Sequence, residues 1–84
     1  MVAWQEAHKL VLLVYKSSKN FPDEEKFGLA NQCRRAVISI TSNIAEGFGR
    51  NSSKDKTHFY TMAKTSLAEV QSQFIAARDL GYIN

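Results

Sequence analysis

Arg50, Lys54 and Lys56, with His58 close behind, make the strongest basic patch in this chain. They fall where a helix should open, so the free N–H groups of its first turn add to their pull on an anion. The chemistry on offer is contact with phosphate, which anchors RNA or DNA with little selection for base sequence. An ordinary solvated loop would use the same residues. A second set, Arg35, Ser39, Ser42 and Glu46, recurs at intervals of 4, 3 and 4, which is one stripe of a helix. Asn43 sits beside it, four after Ser39 and three before Glu46, placed either to tie a backbone irregularity to the next helix or to face water. The stripe suits a subunit interface, a buried polar line or a channel; it equally suits the wet face of a bundle helix. Arg35 and Glu46 lie about 16 Å apart in helical rise, so they could pair only between chains or through the hydroxyls.

Other reactive side chains do not assemble into chemistry. His8 and His58 have no HExxH spacing and no cysteine pair, so no metal site is expected. Ser39, Ser42, Ser66 and the two histidines lack any pattern that marks a nucleophile with its base. Cys33 lies among apolar positions and reads as a buried small hydrophobe. Gly47-Phe48-Gly49-Arg50 lacks the Gly-Lys-Ser/Thr that completes a phosphate loop. No enzyme, cofactor or metal is therefore expected. Trp4, Tyr15, Phe59, Tyr60 and Phe74 fall on helical faces and read as core or subunit contacts; Tyr60 alone is near enough to the basic patch to stack on a base.

The elements that must position these residues are helices. Leu29, Cys33, Val37, Ile40 and Ile44 repeat at 4, 4, 3 and 4, the rhythm of a buried face. The expected helices cover about residues 3–18, 24–47 and 53–80. Trp4, Ala7, Val11, Val14 and Ser18 mark the inner side of the first, and Leu10, Leu12 and Leu13 widen it beyond what one neighbour can cover. Asn20 to Glu24 is a connection, because Pro22 donates no backbone bond and restrains Phe21. Phe21 is a candidate hydrophobic staple across that turn. Gly28 weakens the start of the second helix, which should open as a short turn. Thr41, Ser42 and Asn43 compete for backbone groups, so a bend or irregularity is expected there. Gly47 and Gly49 are expected to supply left-handed positions with Phe48 packed between them. Ser52 and Asp55 have capping-box spacing. Gly81 reads as the glycine beyond the third helix, with Tyr82 and Ile83 folding back.

Eighty-four residues with 44% hydrophobic side chains make one domain with a thin private core. A single cysteine excludes an internal disulfide, which leaves oligomerisation as the usual remedy. Eleven basic against eight acidic residues give +3, permitting nucleic-acid contact without requiring it. Met1 to Leu10 shows no secretory leader and Leu10 to Val14 is too short to span a membrane, so a cytoplasmic location is expected.

From Phe21 to Arg50 the sequence FPDEEKFGLANQCRRAVISITSNIAEGFGR, strongest at Ser42 to Arg50, resembles the small four-helix-bundle proteins encoded by intervening sequences in bacterial 23S ribosomal RNA genes. Trp4, Asn20 to Pro22, Phe27 to Leu29, Arg34 to Ala36, Phe59, the SLAEVQSQF segment and Asp79 to Ile83 extend the likeness over nearly the whole chain. The resemblance implies a ring-like homo-oligomer, pentameric in known members, with no established enzymatic activity. It also implies nucleic-acid contact, as in the similar accessory protein of diversity-generating retroelements, which partners a reverse transcriptase. Family members run on to a further helix where this chain stops at Asn84, and often carry proline where Thr41 stands, so the expected bend is softer here. The reading is an all-α, antiparallel up-and-down bundle of three helices, over residues 1–84, lacking the last helix of a four-helix-bundle family. Its function is that of a non-enzymatic oligomeric scaffold; the alternative is a nucleic-acid-binding accessory protein.

Overall fold

The computed structural model describes Met1–Asn84. Three helices run up and down: α1 (Val2–Ser18), α2 (Leu29–Phe48) and α3 (Ser53–Asp79), with one 3-10 turn at Asp23–Glu25 and no strand. The second helix opens through that turn and settles at Leu29, five residues later than the helix start expected near 24. Pro22 sets the extended entry to the turn, as a proline with fixed φ should.

α2 is the centre of the fold, packing against both neighbours, while α1 and α3 have no Cα pair within 8 Å of each other. The expected inner face holds: Cys33, Val37 and Ile40 are buried, Leu29 and Ile44 half-buried. Val11 and Val14 meet it from α1, and Ala63, Val70 and Ala77 from α3. The small side chains on α3 let it lie close to α2. At Gly47 the approach leaves no room for a side chain: a Cβ there would stand 2.6 Å from Tyr60 Cε1 and 3.2 Å from Phe59 Cβ.

Two local expectations are corrected. Neither Gly47 nor Gly49 is left-handed; Gly81 is the one residue with positive φ, at 83°. Gly47 serves instead as space for α3, and Gly49 ends α2 in right-handed backbone with its N–H on the Ala45 carbonyl at 3.2 Å. Phe48 is not packed between the glycines but 62% exposed. At Thr41–Asn43 the helix continues without a break. Thr41 Oγ1 donates to the Ile38 carbonyl at 3.0 Å and Asn43 Nδ2 to the Ser39 carbonyl at 2.8 Å. The side chains thus bond to carbonyls of the helix's own preceding turn, so their competition with the backbone ends without opening the ladder.

The end of α3 closes as expected. Tyr82 N–H donates to the Ala77 carbonyl and Gly81 N–H to that of Arg78, the paired bonds of a Schellman motif. This turn aims Tyr82 back at the α1–α2 connection. Its ring lies 5.6 Å from that of Phe21, which also meets Phe74 at 6.1 Å. Phe21 therefore joins the connection to α3, a longer reach than the staple expected of it.

Tyr82 Oη donates to Glu25 Oε2 at 2.8 Å, and Leu29 N–H donates to Glu25 Oε1 at 3.1 Å. The Leu29 N–H first, then the Tyr82 hydroxyl, hold the Glu25 carboxyl below its ordinary pKa, with burial opposing. The Tyr82 phenol is raised by its bond to Glu25, then by burial, then by the charges of Glu25 and Glu24. A carboxyl depressed in the folded state contributes stability that is present above its unfolded pKa and lost as pH falls through the folded one. Tyr82→Phe should therefore lower the melting midpoint at neutral pH, and the gap to wild type should narrow as the solution is acidified below the ordinary carboxylate range. A gap constant over that range would show that the Glu25 charge plays no part.

Candidate functional site

The basic residues meet where α2 hands over to α3. Ser52 caps α3, its Oγ accepting the Asp55 N–H at 3.1 Å, as the spacing predicts. Lys56 is turned back onto α2: its Nζ donates to the carbonyls of Gly47 at 3.2 Å and Phe48 at 3.0 Å. It satisfies acceptors that the end of a helix leaves open, and its charge complements the negative end of the dipole. Arg50 is similarly engaged. Its Nη2 pairs with Glu46 Oε2 at 2.9 Å and its guanidinium lies 4.6 Å from the centre of the Phe59 ring. His58 touches the same ring edge-on at 5.3 Å. Lys54 is exposed and makes no hydrogen bond or ion pair. The four expected residues therefore share one corner, but the fold already uses two of their charges.

Tyr60, the aromatic near enough in sequence to stack on a base, lies against Gly47 and is 39% exposed. The more exposed ring at this corner is Phe48, at 62%, with Lys56 Nζ 5.8 Å from its centre. The flanking glycines were the available signal, since they carry no side chain to shield it.

The polar stripe of α2 divides. Ser39 Oγ and Ser66 Oγ share a 2.9 Å hydrogen bond between α2 and α3, and Asn43 Nδ2 donates to Ser39 Oγ at 3.0 Å. Asn43 is buried and Ser39 half-buried, whereas Arg35, Ser42 and Glu46 are exposed. As a single buried line within one chain the stripe does not exist, because Asn43 turns toward the α2–α3 seam and Glu46 toward Arg50. Arg35, Ser39, Ser66 and Glu69 border a cleft of about 350 Å³ on that side. Gln73, overlooked in the sequence, is buried nearby in chain order; its Nε2 donates to Glu69 Oε2 at 3.2 Å while its Oε1 has no partner.

Arg34, the other arginine of the pair, ties α2 to the end of α1. Its Nε donates to Ser18 Oγ at 2.8 Å, and its guanidinium lies 4.8 Å from the Tyr15 ring. Cys33 is fully buried. Burial, helped by the charge of Glu69, pushes its thiol up to about 11, which keeps it protonated and unreactive at neutral pH. No group of three or more His, Cys, Asp or Glu side chains could hold a metal ion, and no helix is long and apolar enough to cross a membrane.

The largest concavity is apolar. Leu10, Leu13 and Val14 of α1 face Leu67, Val70 and Phe74 of α3 across a groove of about 690 Å³. It exists because α2 holds these two helices apart. Tyr82 and Ile83 line one end, and no charged side chain enters it.

The surface thus carries three features: an open apolar groove, a polar cleft, and a basic corner with an exposed ring. A comparison with curated proteins finds no match. The model of one family, described as 23S rRNA-intervening sequence protein, matches residues 1–84. That match covers the groove, the cleft and the corner alike, and by it the chain belongs to the 23S rRNA-intervening sequence protein family.

Proposed function

We propose that this protein is a non-enzymatic scaffold, one helical-bundle domain over residues 1–84, that works as a cytoplasmic homo-oligomer. The carrying observation is uncovered apolar surface. The chain exposes 5806 Å² at a mass of 9.5 kDa, against roughly 5,000 Å² for a compact monomer of that mass. Its radius of gyration is 13.9 Å, against about 12 Å for a compact domain of this length. Leu12, Leu13, Phe48, Ile75 and Leu80 are all more than half exposed. The groove between α1 and α3 is the natural seat for a helix from a second copy, and the family likeness supports a pentameric ring completed as a four-helix bundle. Sedimentation with light scattering at micromolar protomer should give a mass several times 9.5 kDa. Leu13→Glu with Leu67→Glu, which places charge on both groove walls, should lower it. A folded wild-type monomer at that concentration would overturn the reading.

A second reading, a nucleic-acid-binding accessory protein, is favoured by the cluster of Arg50, Lys54 and His58 beside exposed Phe48. Symmetry would repeat the corner in every subunit. Arg50→Ala with Lys54→Ala, leaving Lys56 to cap α2, should weaken retention of RNA and flatten its salt dependence by about 1.4 per corner engaged on a single strand. Unchanged retention at low salt would reject it.

A further inference from the structure

We propose that the corner between α2 and α3 takes single-stranded nucleic acid, with one unpaired base stacked on the ring of Phe48. The inference rests on the nucleic-acid reading and adds to it the form of strand that the corner accepts. Charge alone does not make this a strong site. Arg50, Lys54 and Lys56 are offset by Glu46 and Asp55, and Arg50 is already paired with Glu46 at 2.9 Å. The net attraction for phosphate from one corner is therefore small, and a ligand held here must gain elsewhere.

Phe48 offers that gain. Its ring is 62% exposed, with Gly47 and Gly49 on either side and no ring stacked against it. The Lys56 ammonium lies 5.8 Å from the ring centre and is pinned by the carbonyls of Gly47 and Phe48. Arg50 is likewise held, over Phe59. An exposed apolar ring with one fixed ammonium beside it, and a second held cation two residues along the chain, is a combination suited to unpaired bases and the phosphates between them. A duplex keeps its base faces covered, so it could use the cations alone. Phe27 makes the contrast. It is more exposed, at 87%, and has a cation of its own in Lys26 at 5.6 Å, but Asp23, Glu24 and Glu25 precede it in the chain and would repel phosphate.

Fluorescence anisotropy with three labelled probes of one mixed sequence, about twelve nucleotides long, tests the proposal: single-stranded RNA, single-stranded DNA and blunt RNA duplex. Both single strands share the base face and the phosphodiester, so tighter binding of either than of the duplex supports it. Phe48→Ala should weaken single-strand binding about tenfold and leave duplex binding largely unchanged, while Phe48→Tyr should retain it. Circular dichroism should show both variants folded, since the side chain stands in solvent. If the wild type binds the single strands and Phe48→Ala binds them equally well, or if it weakens duplex binding as much, the stacking proposal fails and the nucleic-acid reading survives. If no probe binds at low salt, both fail.

Discussion

Phe21→Ala is expected to lower stability by about 3–5 kcal/mol, the range for emptying an aromatic site in a packed core. The ring is 6% exposed and meets both Phe74 and Tyr82. It sits in the connection between α1 and α2, yet its partners belong to α3 and the turn beyond it. Its loss therefore opens the contact between that connection and the end of α3 as well as leaving a cavity. A domain of this size loses about 4–8 °C in melting midpoint per kcal/mol, so a fall of at least about 12 °C is expected. Phe21→Leu, which keeps most of the volume, should cost less than about 1.5 kcal/mol. Both must be measured at one protomer concentration, because association would add to apparent stability. A Phe21→Ala midpoint within a few degrees of wild type would show that the connection does not anchor α3.

Gly47→Val should cost about 1–3 kcal/mol, although valine is the better helix former. The added Cβ would stand 2.6 Å from Tyr60 Cε1 and 2.9 Å from Tyr60 Cδ1. That ring can swing outward, since it is partly exposed. The Phe59 Cβ at 3.2 Å cannot follow without moving α3 itself. Placing the same substitution in a Tyr60→Ala background should remove part of the cost, because residues in direct contact do not act additively. Chemical denaturation of the two single variants and the double variant measures this coupling. Equal costs in both backgrounds would show that the Tyr60 ring does not set the helix separation.

The two positions differ in how far the chain announces them. Phe21 beside Pro22 marks a connection and an apolar side chain within it, but its neighbours are more than fifty residues away in sequence. Gly47 looks like the end of a helix, since glycine is common there. The signal is ambiguous because the same missing side chain serves two purposes, a left-handed turn or a close crossing. Only the approach of Tyr60 selects between them. Phe48 follows from this choice. With Gly47 inside the helix and Gly49 right-handed, the ring is carried out to solvent.

Charged residues were the least legible. Lys56 and Arg50 belong to the basic patch by composition, yet one caps α2 and the other pairs with Glu46. A long side chain can reach any acceptor within several ångströms, and the acceptors here are fixed by the angle between α2 and α3. Gln73 shows the same limit from the other side, since nothing in its neighbours marks an amide that ends up buried.

The three helices, the buried face of α2, the cap at Ser52 and the closing turn at Gly81 were written in the chain by itself. Each depends on contacts within four or five residues, where spacing along the sequence is spacing in space. The open groove, the exposed Phe48, the division of the polar stripe and the Glu25–Tyr82 bond were decided by tertiary structure alone. They depend on how far α2 holds its neighbours apart and at what angle, and that is set by side chains distant in sequence meeting at helix crossings.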